Sequence, residues 1–222
     1  MTTSDATSPW ALDPEATKRL PRGRHKLSRD QVLASQRGRM LHAVLIATAK
    51  KGFGYCVVGD VISAAGVSRK AFYEHFRDFE DCWFQAYETA AEVLISTVVS
   101  ATVEADAAGD PGRATAAGIR ALMELIVEEP AVAHATIVDI AGAGPEGLKA
   151  RQRNMHSWAD LMLITFDGVK GAKPTPERRL QALAAVSIAE GILVEYLVSE
   201  RTDELPAVSD QVAALMSGAL TQ

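Results

Sequence analysis

Cysteine is scarce in this chain of 222 residues, with Cys56 and Cys82 the only two. Two cysteines build no disulfide framework, and neither has a second ligand at zinc spacing, so a reducing cytoplasm is the expected setting. None of the five histidines, His25, His42, His75, His134 and His156, pairs with another His, Cys or carboxylate at a close helical spacing convincing for a metal. The amino terminus, MTTSDATSPWALDPEA, lacks a basic stretch followed by an apolar one and does not read as a secretory signal. No run reaches the roughly eighteen uncharged apolar residues of a membrane span. The best candidate, ALAAVSIAEGILVEYLV, carries Glu190 and Glu195, so no membrane partner is expected. Catalytic signatures are missing too: there is no phosphate-cradling glycine loop, no G-x-S-x-G and no H-E-x-x-H. The GAGPEG stretch at 142–147 reads as a linker, because no strand precedes it. The expectation is a protein without cofactor or metal that is not an enzyme.

What remains is a globular chain, 48% hydrophobic, with an uneven charge. The net charge of −5 conceals a basic block over residues 18–83, where 13 Lys and Arg face 6 Asp and Glu. Residues 84–222 hold 10 against 19. A basic segment joined to an acidic body suggests a polyanion-binding module attached to something else.

No stretch alternates as a strand does, and no internal repeat is visible, so the fold class is all-α. Residues 1–27 lack periodicity, contain Pro9, Pro14, Pro21 and Gly23, and read as a flexible basic arm ending in KRLPRGRHK. Ser28 opens SRDQ, a capping box, and Leu33, Met40, Leu41, Val44, Leu45 and Thr48 follow near the helical period until Gly52. A short helix over about 57–65 turns Val58, Val61 and Ile62 inward and ends at Gly66. Ser68 caps a third helix and Asp78 a fourth, which runs to about Glu104. Further helices are expected near 112–129, 131–141, 146–167, 176–200 and 204–220, separated by Gly- or Pro-bearing breaks.

The stretch GVSRKAFYEHF, residues 66–76, asks one helix to do two jobs. Phe72 and Phe76, four apart, and Val67 in the preceding turn suit the core of three short helices. Ser68, Arg69, Lys70, Tyr73 and His75 remain to face solvent. This is the pattern of a helix-turn-helix, whose last helix enters the DNA major groove with its amino-terminal residues nearest the bases. Arg69 can bond guanine O6 and N7 with its planar fork, and Lys70 can do so less directionally or take a phosphate. Tyr73 and His75, further along, suit phosphate contacts, which position rather than specify. The arm residues Arg22, Arg24 and Lys26 are expected to reach the minor groove or phosphates.

Residues 29–87 resemble the DNA-binding domain of the TetR family of bacterial transcriptional regulators. The family pattern G-F-x-x-T-T-V-R-D-I-A-x-x-A-G-V-S-x-x-x-L-Y-x-H-F-x-[SND]-K-E-x-L stands here as GFGYCVVGDVISAAGVSRKAFYEHFRDFEDC. Gly52, Phe53, Val58, Asp60, Ala65, Gly66, Val67, Ser68, Tyr73, His75, Phe76, Asp78 and Glu80 fall on matching positions. Donors are missing at three places: the Thr pair is Cys56 and Val57, the following Arg is Gly59, and the Lys of the fourth helix is Phe79. The arm, with its arginines and lysines, is expected to make up for them.

The resemblance implies a helix-turn-helix domain over 28–77 and an effector-binding and dimerising domain over 78–222. It also implies a cytoplasmic homodimer on a double-stranded operator, acting most often as a repressor released by a small molecule. Met155, Trp158, Met162 and Phe166 form an apolar stripe at helical spacing where the family keeps its ligand cavity. They are the expected ligand contacts, with Met123, Ile126, His134 and Ile137 as weaker candidates, fitting a largely apolar effector. Ala182, Ala185, Ala189 and Gly191 offer the small side chains that let helices approach closely in a dimer. Two rivals stand beside this reading. One is a DNA-binding protein without a small effector, controlled by a protein partner and solid around Trp158. The other is a small all-α enzyme with a coincidental helix-turn-helix.

Overall fold

The computed structural model describes residues 28–105, 109–168 and 173–221. The arm of residues 1–27, with Arg22, Arg24 and Lys26, lies outside them. Among the described residues there are nine α-helices, a few 3₁₀ turns and no strand, in keeping with the all-α expectation.

Local hydrogen bonds set the ends of the first four helices. α1 (Arg29–Lys51) begins at a reciprocal box: Ser28 Oγ accepts from the Gln31 N–H at 3.2 Å, and Gln31 Oε1 accepts from the Ser28 N–H at 2.8 Å. Gly52, at φ 81°, ends it, and a 3₁₀ turn over Phe53–Tyr55 follows that the sequence did not announce. α2 (Val58–Ala65) has Val57 at its N-cap and no hydroxyl there; the Asp60 carboxylate accepts from the Val57 N–H at 3.1 Å instead. Gly66 then takes the left-handed conformation, φ 63° and ψ 42°. Ser68 Oγ caps α3 (Arg69–His75) by accepting from the Ala71 N–H at 3.1 Å. Asp78 Oδ1 caps α4 (Phe79–Ala105) by accepting from the Asp81 N–H at 2.8 Å.

Five helices complete the chain: α5 (Pro111–Glu128), α6 (Pro130–Ile137), α7 (Gly144–Asp167), α8 (Pro176–Val198) and α9 (Leu205–Leu220). Each has a proline in its first two positions, where the missing N–H costs nothing. The GAGPEG segment is therefore not a linker. Asp139–Ala143 winds as a 3₁₀ turn, and α7 starts at once from Gly144, with Pro145 in its first turn. Gly147 is needed there, because an added Cβ would meet the carbonyl oxygen of Ile140. The expected 131–141 helix accordingly stops at Ile137.

The chain divides into two compact units, the first ending at Val93 and the second beginning at Leu94. The division falls inside α4 rather than at 77/78, because Cys82, Trp83, Ala86 and Tyr87 of α4 are buried with the first core. In that core α1, α2 and α3 pack on one another around Met40, Val44, Val61, Phe72 and Phe76, all with at most 2% of their surface exposed. In the second unit α5 packs on α9, α9 on α8 and α8 on α7, and Met123, Ile126, Val132, Leu205 and Val212 are buried.

α8 is long and apolar enough to cross a membrane, with a mean hydropathy of 1.5 over its most apolar window. Part of that apolarity goes into packing: Ala182, Ala185, Val186, Ala189, Leu193 and Leu197 are buried within the unit, while Leu180 and Val198 stay exposed. Three of the four small residues expected on a dimer surface thus face inward. Gly191 alone is exposed, with open space beyond its Cα.

Candidate nucleic-acid interface and ligand cavity

α3 is held by its inward side and free on its outward side. Phe72 is fully buried, and Phe76 keeps 2% of its surface exposed. Their rings lie 5.5 Å apart, and Arg37 of α1 sits 5.9 Å over the Phe76 ring. Ser68, Arg69, Lys70 and Tyr73 are exposed, the last by 50%. The first turn of α3 therefore presents a guanidinium, an ammonium and a capping hydroxyl together. Arg39 fixes the turn before it by donating to the Ala65 carbonyl oxygen at 2.6 Å, and Lys51 joins α1 to α2 through Asp60 at 2.5 Å. That pairing holds the Asp60 carboxyl below its ordinary value.

His75 differs from the other expected contacts. It is half-buried, its Nε2 is enclosed without a partner, and burial with the nearby Arg37 lowers its pKa from 6.5. A neutral ring with one nitrogen turned inward is a weaker phosphate donor than the sequence suggested.

The departures from the family pattern acquire physical reasons. Phe79, where a Lys would serve phosphate, packs edge-on against Phe53 at 5.4 Å, and Phe53 meets Trp83 at 5.0 Å. Trp83 stacks on Tyr87 at 5.6 Å, so the position trades a phosphate donor for an aromatic cluster. Cys56 is buried, while Val57 is 60% exposed and Tyr55 is 82% exposed. Sequence reasoning passes over Tyr55.

In the second unit a cavity with about 100 Å³ open to the centres of water-sized molecules lies among α4 to α9. α7 supplies Asn154, Met155, Trp158, Leu161, Met162 and Thr165. Leu94, Val98 and Thr102 of α4 and Thr115, Ile119 and Leu122 of α5 form the facing wall. Ile137, four residues of α8 and Met216 close it. The core around Trp158 is hollow.

Of the expected ligand contacts, the structure brings Met155, Trp158, Met162 and Ile137 to this cavity. Phe166 is not among its lining residues. On a helix turning about 100° per residue it lies roughly 80° from Trp158, while the six lining residues of α7 fall within about 60°. Met123 and Ile126 are fully buried in core packing elsewhere. His134 is engaged with Asp139, Nδ1 to Oδ2 at 3.1 Å, and does not line the cavity either. Among the described residues no group of His, Cys, Asp or Glu is arranged to hold a metal ion.

Known proteins resemble this one in structure. No protein-family model and no curated protein sequence matches the chain. Among solved structures, the fatty acid degradation regulator FadR of Bacillus halodurans superposes with a TM-score of 0.69 at 15% identity, covering 89% of this chain and all of that one, 100%. FadR of Bacillus subtilis, solved with stearoyl-CoA, gives 0.65 at 14% identity, covering 82% and 97%. A TetR family transcription regulator of Marinobacter aquaeolei gives 0.65 at 20%, covering 86% and 97%. The likeness read in residues 29–87 thus extends over most of the chain, which has the all-α fold of TetR-family transcriptional regulators.

Proposed function

We propose that this protein is a cytoplasmic, sequence-specific transcriptional regulator that binds an operator as a homodimer and is released from it by a small apolar ligand. The observation that carries the reading is α3, whose phenylalanines are locked in the core while Ser68, Arg69 and Lys70 stand exposed at its amino-terminal turn. Such a helix suits a major groove, where its first residues meet base edges. Repression follows the commoner habit of proteins with this fold.

The cavity supports the ligand-responsive half. Its wall is apolar apart from three threonines, Asn154 and Glu190, and a neighbour in structure, the Bacillus subtilis FadR, was solved with stearoyl-CoA. Met155, Trp158, Met162 and Ile137 are the contacts we assign to the ligand. Binding would shift the population toward dimers whose two recognition helices no longer match their half-sites.

Support for the dimer comes from an exposed stripe on α8 at helical spacing: Leu180, Ala184, Ser187, Gly191 and Val198. Leu180 is 68% and Val198 59% exposed, and Leu215 on α9 is 56% exposed. Apolar residues in such a row suit a partner helix.

Selection of bound duplexes from a random pool tests the reading. Enrichment of a two-fold repeated sequence is the expected result. A pool that stays random after repeated rounds would remove the regulator assignment.

A further inference from the structure

Among the described residues, one residue of the cavity lining has a buried polar atom without a partner. Asn154 belongs to the lining, and its Oδ1 is buried without a hydrogen-bond partner. An acceptor left so costs much of its desolvation penalty, which a ligand donor would recover. The broad terminal torsion of an asparagine lets the amide turn toward a guest.

The threonine hydroxyls and the carboxylate of the wall are engaged or unselective. Thr115 donates to the Pro111 carbonyl at 2.8 Å and Thr165 to the Leu161 carbonyl at 3.0 Å. Thr102 has a hydroxyl that serves as donor or acceptor and therefore does not discriminate. Glu190, the one charged residue among the described lining, has both carboxylate oxygens taken by Arg151, Nε to Oε1 at 2.7 Å and Nη2 to Oε2 at 2.6 Å. Among the described residues, no Lys, Arg or His lines the wall. A ligand carboxylate would enter without a cation and would face the Glu190 carboxylate. An ammonium would have to displace Arg151 from a bidentate pair.

We infer that the effector is a neutral, largely hydrocarbon molecule bearing a hydroxyl group, which donates to Asn154 Oδ1. The inference rests on the ligand-responsive reading above and gives that site its chemistry. It singles out Asn154, which the sequence did not mark, because one asparagine on a long helix carries no signal until its neighbours are known.

The test compares decanol, its methyl ether, decanoate and decylamine by quenching of Trp158 fluorescence, with Trp158→Phe as the control for site. On the parental protein, decanol is expected to bind more tightly than the ether, by roughly the two- to tenfold of a single hydrogen bond, and the two charged probes most weakly. Asn154→Leu should bring alcohol and ether to equal affinity while keeping the ether. Equal binding of alcohol and ether by the parental protein, or tightest binding of decanoate or decylamine, overturns the inference and needs no variant to do so. Persistence of the alcohol preference in a folded Asn154→Leu also overturns it. If no probe binds at all, the hydroxyl inference falls; selection of operator DNA, measured separately, shows whether the regulator reading survives.

Discussion

Arg69 stands on the first turn of α3, one residue beyond the Ser68 cap, and is exposed. A bidentate contact from such a position to guanine discriminates by about 1–3 kcal/mol. Arg69→Ala is therefore expected to relax sequence preference at one base pair of each half-site and leave non-specific binding nearly unchanged. Anisotropy titrations on the selected duplex and on single-base variants measure this; equal loss on every duplex would assign Arg69 to phosphate instead. His75 is to be judged by stability. Burial, then the charge of Arg37, depresses its pKa below 6.5, with Glu74 opposing. Above its ordinary value the ring is neutral folded or unfolded and contributes nothing to pH dependence. As pH falls through that value the unfolded chain takes the proton first, so stability drops toward acid. Melting temperatures between about pH 7 and 5 should fall less steeply for His75→Leu than for the parental protein. Parallel curves would show that His75 does not carry the depressed group.

At the scale of elements, α8 separates packing from association. Ala185 is fully buried against its own unit, and a larger side chain there overpacks the core at a cost of about 1–3 kcal/mol. Gly191 faces open space. Ala185→Leu is expected to lower the melting temperature, whereas Gly191→Leu should keep the fold and weaken self-association in sedimentation. The reverse pattern would place the dimer surface elsewhere. Phe72→Ala should cost about 3–5 kcal/mol in chemical denaturation, since it empties the centre of the first core.

These elements also show what a sequence can and cannot disclose. Caps are local, so Ser28 with Gln31, Gly66, Ser68 and Asp78 mark their helix ends correctly. The facing of a stripe is not local. The alanines of α8 could serve a partner or their own core, and only packing against α7 and α9 decides. Likewise Phe166 shares the heptad-like spacing of Met155 and Trp158, but the cavity wall continues through Thr165. Pro145 looks like a breaker and is a first-turn proline, because Gly on both sides of Pro and Glu has the same appearance in a loop. Phe79 looks like a missing phosphate donor until its ring contact with Phe53, far back along the chain, is seen.

For the whole molecule, the proposed function assigns DNA to the basic block and the ligand to the acidic remainder. The arm's Arg22, Arg24 and Lys26 offer charge to phosphates, and we expect them to supply the affinity that Val57, Gly59 and Phe79 do not. Neutralising all three should weaken binding to most duplexes and reduce the slope of log K against log salt by roughly 0.9 for each phosphate no longer neutralised. An unchanged slope would remove the arm from the interface. The most direct measurement is a titration of the parental protein with its selected duplex and with a scrambled duplex of equal length and composition. The expected result is two protomers on the selected duplex, bound at least about a thousandfold more tightly than the scrambled one. Equal affinity for the two duplexes would contradict a recognition role for α3.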